Sequence, residues 1–359
     1  MALALLLAVP ATILGYILLP LFLGIDRADS LFLSRIYLMC FLPLNFLTLA
    51  QMSLELAEQR FLPYNLLRLI PGAIYFAGLI VIFLLDAVTV ERVLWASWLG
   101  LPLMAAVCAW WWRSRILMSP ATDEGLSLLR QGVRFHAATL VVLFGAQIDR
   151  IVVMNFFSNH DIGNYIVAQT IAFAGLGLVT HSVQVVLFPL MTAEENRGRA
   201  TTIFVDALRR SVVFLVFGSA GAVVLIPYLI PMAFGKNFSG AIVIAIALVF
   251  AFVPLGLRQI IVQCLRAFGD STVGPIVEMT AVVVFLLLVV PGVMFFGLIA
   301  VPISLSVGNV VSLLTASYFL KRKYQISSAS WLWPNKTMVA DFMLVLHLAR
   351  RSRQYFLSK

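Results

Sequence analysis

The amino-acid sequence predicts an all-α fold: a polytopic transmembrane bundle of about ten spans in two lobes, four before a central connection and six after it. Three observations carry that reading: the composition, an even series of long apolar runs, and the placement of positive charge between them. Hydrophobic residues make up 62% of the 359 and charged residues 11%, with a mean hydropathy of +1.01. Globular domains hold roughly 45–50% apolar and about 25% charged residues. A soluble fold of this composition would leave large apolar patches facing water, so the chain reads as an integral membrane protein.

A spanning helix needs about 20 mostly apolar residues. Such runs cover 1–24, 31–53, 63–86 and 92–112, then 133–157, 162–191, 208–233, 239–265, 272–296 and 298–320. The opening MALALLLAVPATILGYILLPLFLG lacks the basic start and the A-x-A site of a signal peptide, and its apolar run outlasts the ~7–15 residues of a signal core. It reads as a span. The segment RSRILMSPATDEGLSLLRQGVRFH (113–136) is the longest polar connection. Hence the expected organisation is an N-terminal bundle over 1–112, a cytoplasmic linker over 113–132, a C-terminal bundle over 133–320 and a basic cytoplasmic tail over 321–359.

Alternate connections collect the positive charge. Arg60, Arg68, Arg113, Arg115, Arg130, Arg134, Arg197, Arg199, Arg209, Arg210, Arg258, Arg266 and the tail fall on one side; Arg27, Arg35, Arg92 and Lys236 fall on the other. The asymmetry keeps its sign throughout and places both termini in the cytoplasm. The net charge of +9 therefore fits contact with anionic membrane lipids, not nucleic acid, because no continuous basic patch with interleaved aromatics forms. Trp110–Trp112 read as an interfacial anchor. In the tail, Arg350, Arg351 and Arg353 beside Phe356 and Leu357 suit a helix lying on the membrane surface, a frayed terminus being the alternative.

Enzyme chemistry finds no foothold. His136, His160, His181 and His347 make no metal-ligand spacing, and Cys40, Cys108 and Cys264 make no paired motif. No nucleophile elbow or Walker loop is present. The expectation is no catalytic residue, no metal and no cofactor.

The informative residues are polar ones inside apolar runs. Asp149 and Arg150 stand in LVVLFGAQIDRIVVMNFFS (140–158), about 22 Å from Arg134 at 1.5 Å per residue. A charge at that depth costs at least ~2.5–3.5 kcal/mol and must face protein or a wet cavity. The two side chains point about 100° apart, so each needs another partner. Gln169 and Thr170, on the next antiparallel span, lie at the depth of Asp149. Gly145, Ala146, Val152 and Val153 leave room for a close neighbour on the Asp149 face. Two readings stand open: a structural pin, or a cavity wall where Asp149 takes a coupling proton or cation and Arg150 an anionic substrate group. Arg258 and Glu278 fall near the inner interface, where snorkelling or mutual pairing is the default. Asn45, Asn309, Gln184 and His181 read as interhelical glue.

GAQIDRIVVMNFFSNHDIGNYIVAQTIA (145–172) resembles the start of the second half of Wzx-type oligosaccharide flippases, through Asp149, Arg150, Gly163, Tyr165 and Ala168. LFPLMTAEENRGR (187–199), FGKNFSGA (234–241) and CLRAFGDSTVGPIVEMT (264–280) follow in the same order. The resemblance implies the multidrug/oligosaccharidyl-lipid/polysaccharide exporter superfamily: a MATE-like pair of bundles, alternating access, and a polyprenyl-pyrophosphate-linked oligosaccharide as cargo. Such transporters have at least twelve spans, so the first two helices are expected to be missing here. Expected substrate-binding residues are Arg150, with Arg258 and Arg68 at the inner rim; expected coupling residues are Asp149, Gln169 and Thr170. The implied setting is the bacterial inner membrane, with polysaccharide assembly machinery as a partner. The alternatives are a cation-coupled multidrug exporter and a truncated, non-transporting scaffold.

Overall fold

In a computed structural model the described residues are 2–23, 28–58, 60–89, 91–100, 106, 145–270 and 272–332. Among them the chain is helical. The aromatic run at 110–112, the linker at 113–132 and the tail beyond 332 lie outside the described residues. The chain divides into two compact units, 1–132 and 133–359.

In the N-terminal unit, α1 (Ala2–Leu23) packs on α2 (Ala28–Ala57), which packs on α3 (Phe61–Leu84). A helical stretch over 91–100 follows. Arg35 lies 4.4 Å over the Tyr16 ring, which ties α1 to α2. Pro10, Pro20, Pro43 and Pro71 sit inside these helices, a placement that neighbouring helices make tolerable in a membrane bundle.

In the C-terminal unit, α4 (Ile148–Phe156), α5 (Asn159–Ala193), α6 (Arg197–Phe234), α7 (Ala241–Ala267), α8 (Val273–Phe296) and α9 (Ala300–Tyr324) follow one another through short connections. Short helix α10 (Ala329–Leu332) closes the described chain. Helix α7 is the hub, packing on α5, α6 and α9. It is apolar around most of its circumference, as a helix surrounded by others must be. One end of this bundle carries Arg197, Arg199, Arg266 and Lys321 to Lys323 and is called the basic end below. There Gly269, at φ +86°, lets the chain turn from α7 to α8.

Among the described residues, six helical runs are long and apolar enough to cross a membrane, and the last, Val273–Tyr324, is the α8–α9 pair joined through Gly297–Ile299. The predicted spans 31–53, 63–86, 162–191, 239–265, 272–296 and 298–320 coincide with these helices to within a few residues, most of 101–112 and all of 133–144 lie outside the described residues, and two spans differ. Helix α6 begins at Arg197, not 208, because its first turns form an amphipathic extension. Asn196 caps it by accepting the Gly198 and Arg199 N–H groups, and Ala200, Phe204 and Leu208 are buried along one face. The polar face of that extension hides it from a search for apolar runs. Second, the span read as continuous over 133–157 is broken by a turn at Ala146–Gln147. Asp149 thus stands in the first turn of α4, where unpaired N–H groups favour a negative charge.

At the basic end, Asp270 accepts hydrogen bonds from Lys323 Nζ, from the Thr272 hydroxyl at 2.8 Å and from the Thr272 N–H at 3.1 Å. Burial works to raise its carboxyl, but these donors win and hold it below the ordinary carboxylate range. They tie the α7–α8 turn to the end of α9.

Candidate functional site

A cavity of about 580 Å³ lies in the C-terminal unit. Its wall is built from the broken start of α4 and from α5, α7, α8 and α9. Polar groups converge on it from all five: Gln147, Asp149, Arg150, Gln169, Arg258, Gln259, Glu278 and Asn309, facing Phe173 and Phe252.

Asp149 is 3% exposed. Its Oδ2 accepts from the Tyr165 hydroxyl at 2.6 Å and from the Gln169 amide at 2.8 Å. Hydrogen bonds to a charged group are worth about 1.5–3 kcal/mol each, so two of them offset the insertion cost of about 2.5–3.5 kcal/mol. Arg150 is exposed at the cavity. Its Nε donates to Gln169 Oε1 at 2.7 Å and its Nη1 to Gln147 Oε1 at 3.1 Å. The Gln169 amide therefore bridges the two charged side chains, and the Arg150 main-chain N–H and charge act on the Asp149 carboxylate as well. Among the described residues, the side-chain hydrogen bonds of Arg150 go to neutral amides, so no carboxylate closes its fork on the cavity side.

Deeper toward the basic end, Arg258 is 3% exposed. It donates to Glu278 at 3.0 Å and to the Ser312 hydroxyl at 2.9 Å, and Ser312 donates in turn to the Val277 carbonyl at 2.6 Å. This network pins α7, α8 and α9 together. Asn309 adds a bond to the Ala251 carbonyl at 3.0 Å. Gly145 approaches so closely that a Cβ there would lie 2.8 Å from Glu278 Oε1. Two smaller cavities adjoin: one of about 240 Å³ beside His181, Gln184 and Gln259, and one of about 130 Å³ beside Gln184, Gln263 and Arg266.

The structure thus brings together Asp149, Arg150, Gln169, Thr170 and Arg258 in one cavity wall. The Thr170 hydroxyl is spent on the Ile166 carbonyl of its own helix, at 2.8 Å. Arg258 is buried in the wall and paired with Glu278, the pairing expected of it. Arg68 belongs to the other unit, exposed on α3. Sequence reasoning gave Tyr165 no role in holding Asp149. The signal was available, since Tyr165 lies one turn before Gln169 and so shares its face.

The family model described as polysaccharide biosynthesis protein matches residues 35–243, more than half of the chain. The chain belongs to that family. No curated protein sequence matches this chain significantly. Among solved structures, the lipid II flippase MurJ in an inward closed conformation is 17% identical, aligned over 96% of this chain and 75% of that one, with a TM-score of 0.75. A MATE structure is 14% identical over 90% of this chain and 77% of that one, at a TM-score of 0.64. The Vibrio cholerae MATE transporter VcmN is 15% identical over 92% and 78%, at 0.63. These likenesses establish the fold of this family member, which it shares with the lipid II flippase MurJ and the MATE transporters.

Proposed function

We propose that the protein flips a polyprenyl-pyrophosphate-linked oligosaccharide across the bacterial inner membrane for surface polysaccharide assembly, by alternating access, with the basic end and both termini cytoplasmic. The physical problem is to carry a polar sugar and a diphosphate through hydrocarbon while the lipid tail stays in the bilayer. A wet cavity bearing fixed positive charge solves it. The observation that carries the reading is Arg150, whose guanidinium faces a cavity of about 580 Å³ and donates its hydrogen bonds to neutral amides. It engages the diphosphate or an acidic sugar, with Arg258 and Arg68 as further contacts. Asp149, with Gln169 and Thr170 beside it, takes the coupling proton or cation and biases the two access states. Anionic lipids gather at the basic end, and polysaccharide assembly proteins receive the product.

One observation favours a second reading. Phe173 and Phe252 meet edge to face, with ring centroids 5.2 Å apart, on the wall that also holds Asp149 and Glu278. Aromatic and acidic groups together suit an organic cation, as in a cation-coupled exporter. Proteoliposomes separate the two. Movement of a fluorescent polyprenyl-diphosphate oligosaccharide, lost in Arg150→Gln, is expected; uptake of an organic cation with no movement of the lipid-linked sugar would select the exporter.

A further inference from the structure

We infer that α7 carries a second anion site at the basic end of the C-terminal bundle, where Arg258 and Arg266 hold a phosphate-class group on its way to the larger cavity. The inference rests on the transport reading above for its direction, but the site stands on its own geometry.

Arg258, Val262 and Arg266 are spaced by four, so they form one stripe along α7. That stripe borders the cavity of about 130 Å³, together with Gln184, Gln263 and Glu278. Arg266 is exposed in the last turn of the helix. Arg258 lies about 12 Å further in at 1.5 Å per residue. The stripe therefore reaches from headgroup depth to the wall of the larger cavity, and Arg258, Gln259 and Glu278 line both spaces.

The second observation is the donor left over on Arg258. Two of its nitrogens are taken by Ser312 and Glu278, but Nε is buried without a protein partner. An unsatisfied buried N–H costs about 1–3 kcal/mol, so the guanidinium is one acceptor short. Two guanidinium groups with glutamine amides between them are the donor set that phosphate oxygens fit. Glu278 then has a second part: its carboxylate occupies Arg258 as an internal anion, and an arriving phosphate must compete with it. Removing that negative charge should strengthen binding, whereas removing Arg266 should weaken it.

Equilibrium dialysis of radiolabelled inorganic pyrophosphate against the purified full-length protein in detergent tests this. Wild type is expected to bind, Arg266→Gln to bind about tenfold more weakly, the worth of one charge-assisted hydrogen bond, and Glu278→Gln to bind more tightly. Folding of each variant is checked by thermal melting. If Glu278→Gln fails to fold, the Arg266→Gln comparison decides alone, because Arg266 is exposed. No binding to wild type, unchanged binding in Arg266→Gln, or weaker binding in a folded Glu278→Gln would overturn the site. A short polyprenyl diphosphate added as competitor distinguishes the sources. Displacement at lower concentration than free pyrophosphate assigns the site to a lipid-borne group; failure to displace leaves an anion site standing while the lipid-linked cargo falls.

Discussion

Tyr165 is fully buried, and its hydroxyl is committed to Asp149 at 2.6 Å. Tyr165→Phe removes that donor and keeps the ring, so the loss should approach the value of one hydrogen bond to a charged group, about 1.5–3 kcal/mol. Denaturant unfolding in detergent reads it directly, and an unchanged midpoint would mean that the remaining donors satisfy the carboxylate. The Asp149–Gln169 contact was legible in the sequence because two antiparallel helices share a depth scale, and counting residues at 1.5 Å places the two side chains level. The bridging amide was not legible, because side-chain orientation depends on where α4 begins, and the turn at Ala146–Gln147 resets it. The Arg258–Glu278 pairing was readable as the default for opposite charges at similar depth. Its burial was not, since α7 is enclosed by three neighbours that no single-helix pattern reveals.

At the level of elements, α8 and α9 are held at close range by Gly308. A Cβ there would lie 2.8 Å from the Ala281 carbonyl oxygen, which is backbone and cannot swing away. Gly308→Ala must push the two helices apart and should cost about 1–3 kcal/mol, as overpacking does. Gly221→Ala in α6 is the matched control, because nothing lies within 4 Å of its added methyl; there the better helix propensity should leave stability unchanged or raise it by up to about 1 kcal/mol. Thermal melts of both variants check the contrast, and equal effects would contradict close packing as the role of Gly308. Helix positions came through from hydropathy because burial in lipid demands long apolar runs. The extension at the start of α6 did not, because its buried face of Ala200, Phe204 and Leu208 alternates with arginines. A 3.6-residue period over 197–208 was the signal that a search for uninterrupted apolarity passes over.

For the molecule as a whole, the fold and the family agree with what composition and order of motifs imply. The family match spans 35–243, reaching into both units. The C-terminal unit gathers a buried carboxylate, an exposed guanidinium and a buried ion pair around one cavity within a membrane-spanning bundle. Such polar groups are expensive at that depth, and their collection in one place is what a transport path requires. The direct measurement is flipping of a fluorescent polyprenyl-diphosphate oligosaccharide in proteoliposomes by wild type and by Asp149→Asn, with insertion and folding of both confirmed. Asparagine can still accept from Tyr165 and Gln169, so the helices should stay pinned while the charge is gone. Wild type is expected to flip the lipid and Asp149→Asn to insert normally yet fail to flip it; wild-type rates in a folded Asp149→Asn would reduce the cavity charge to a structural pin.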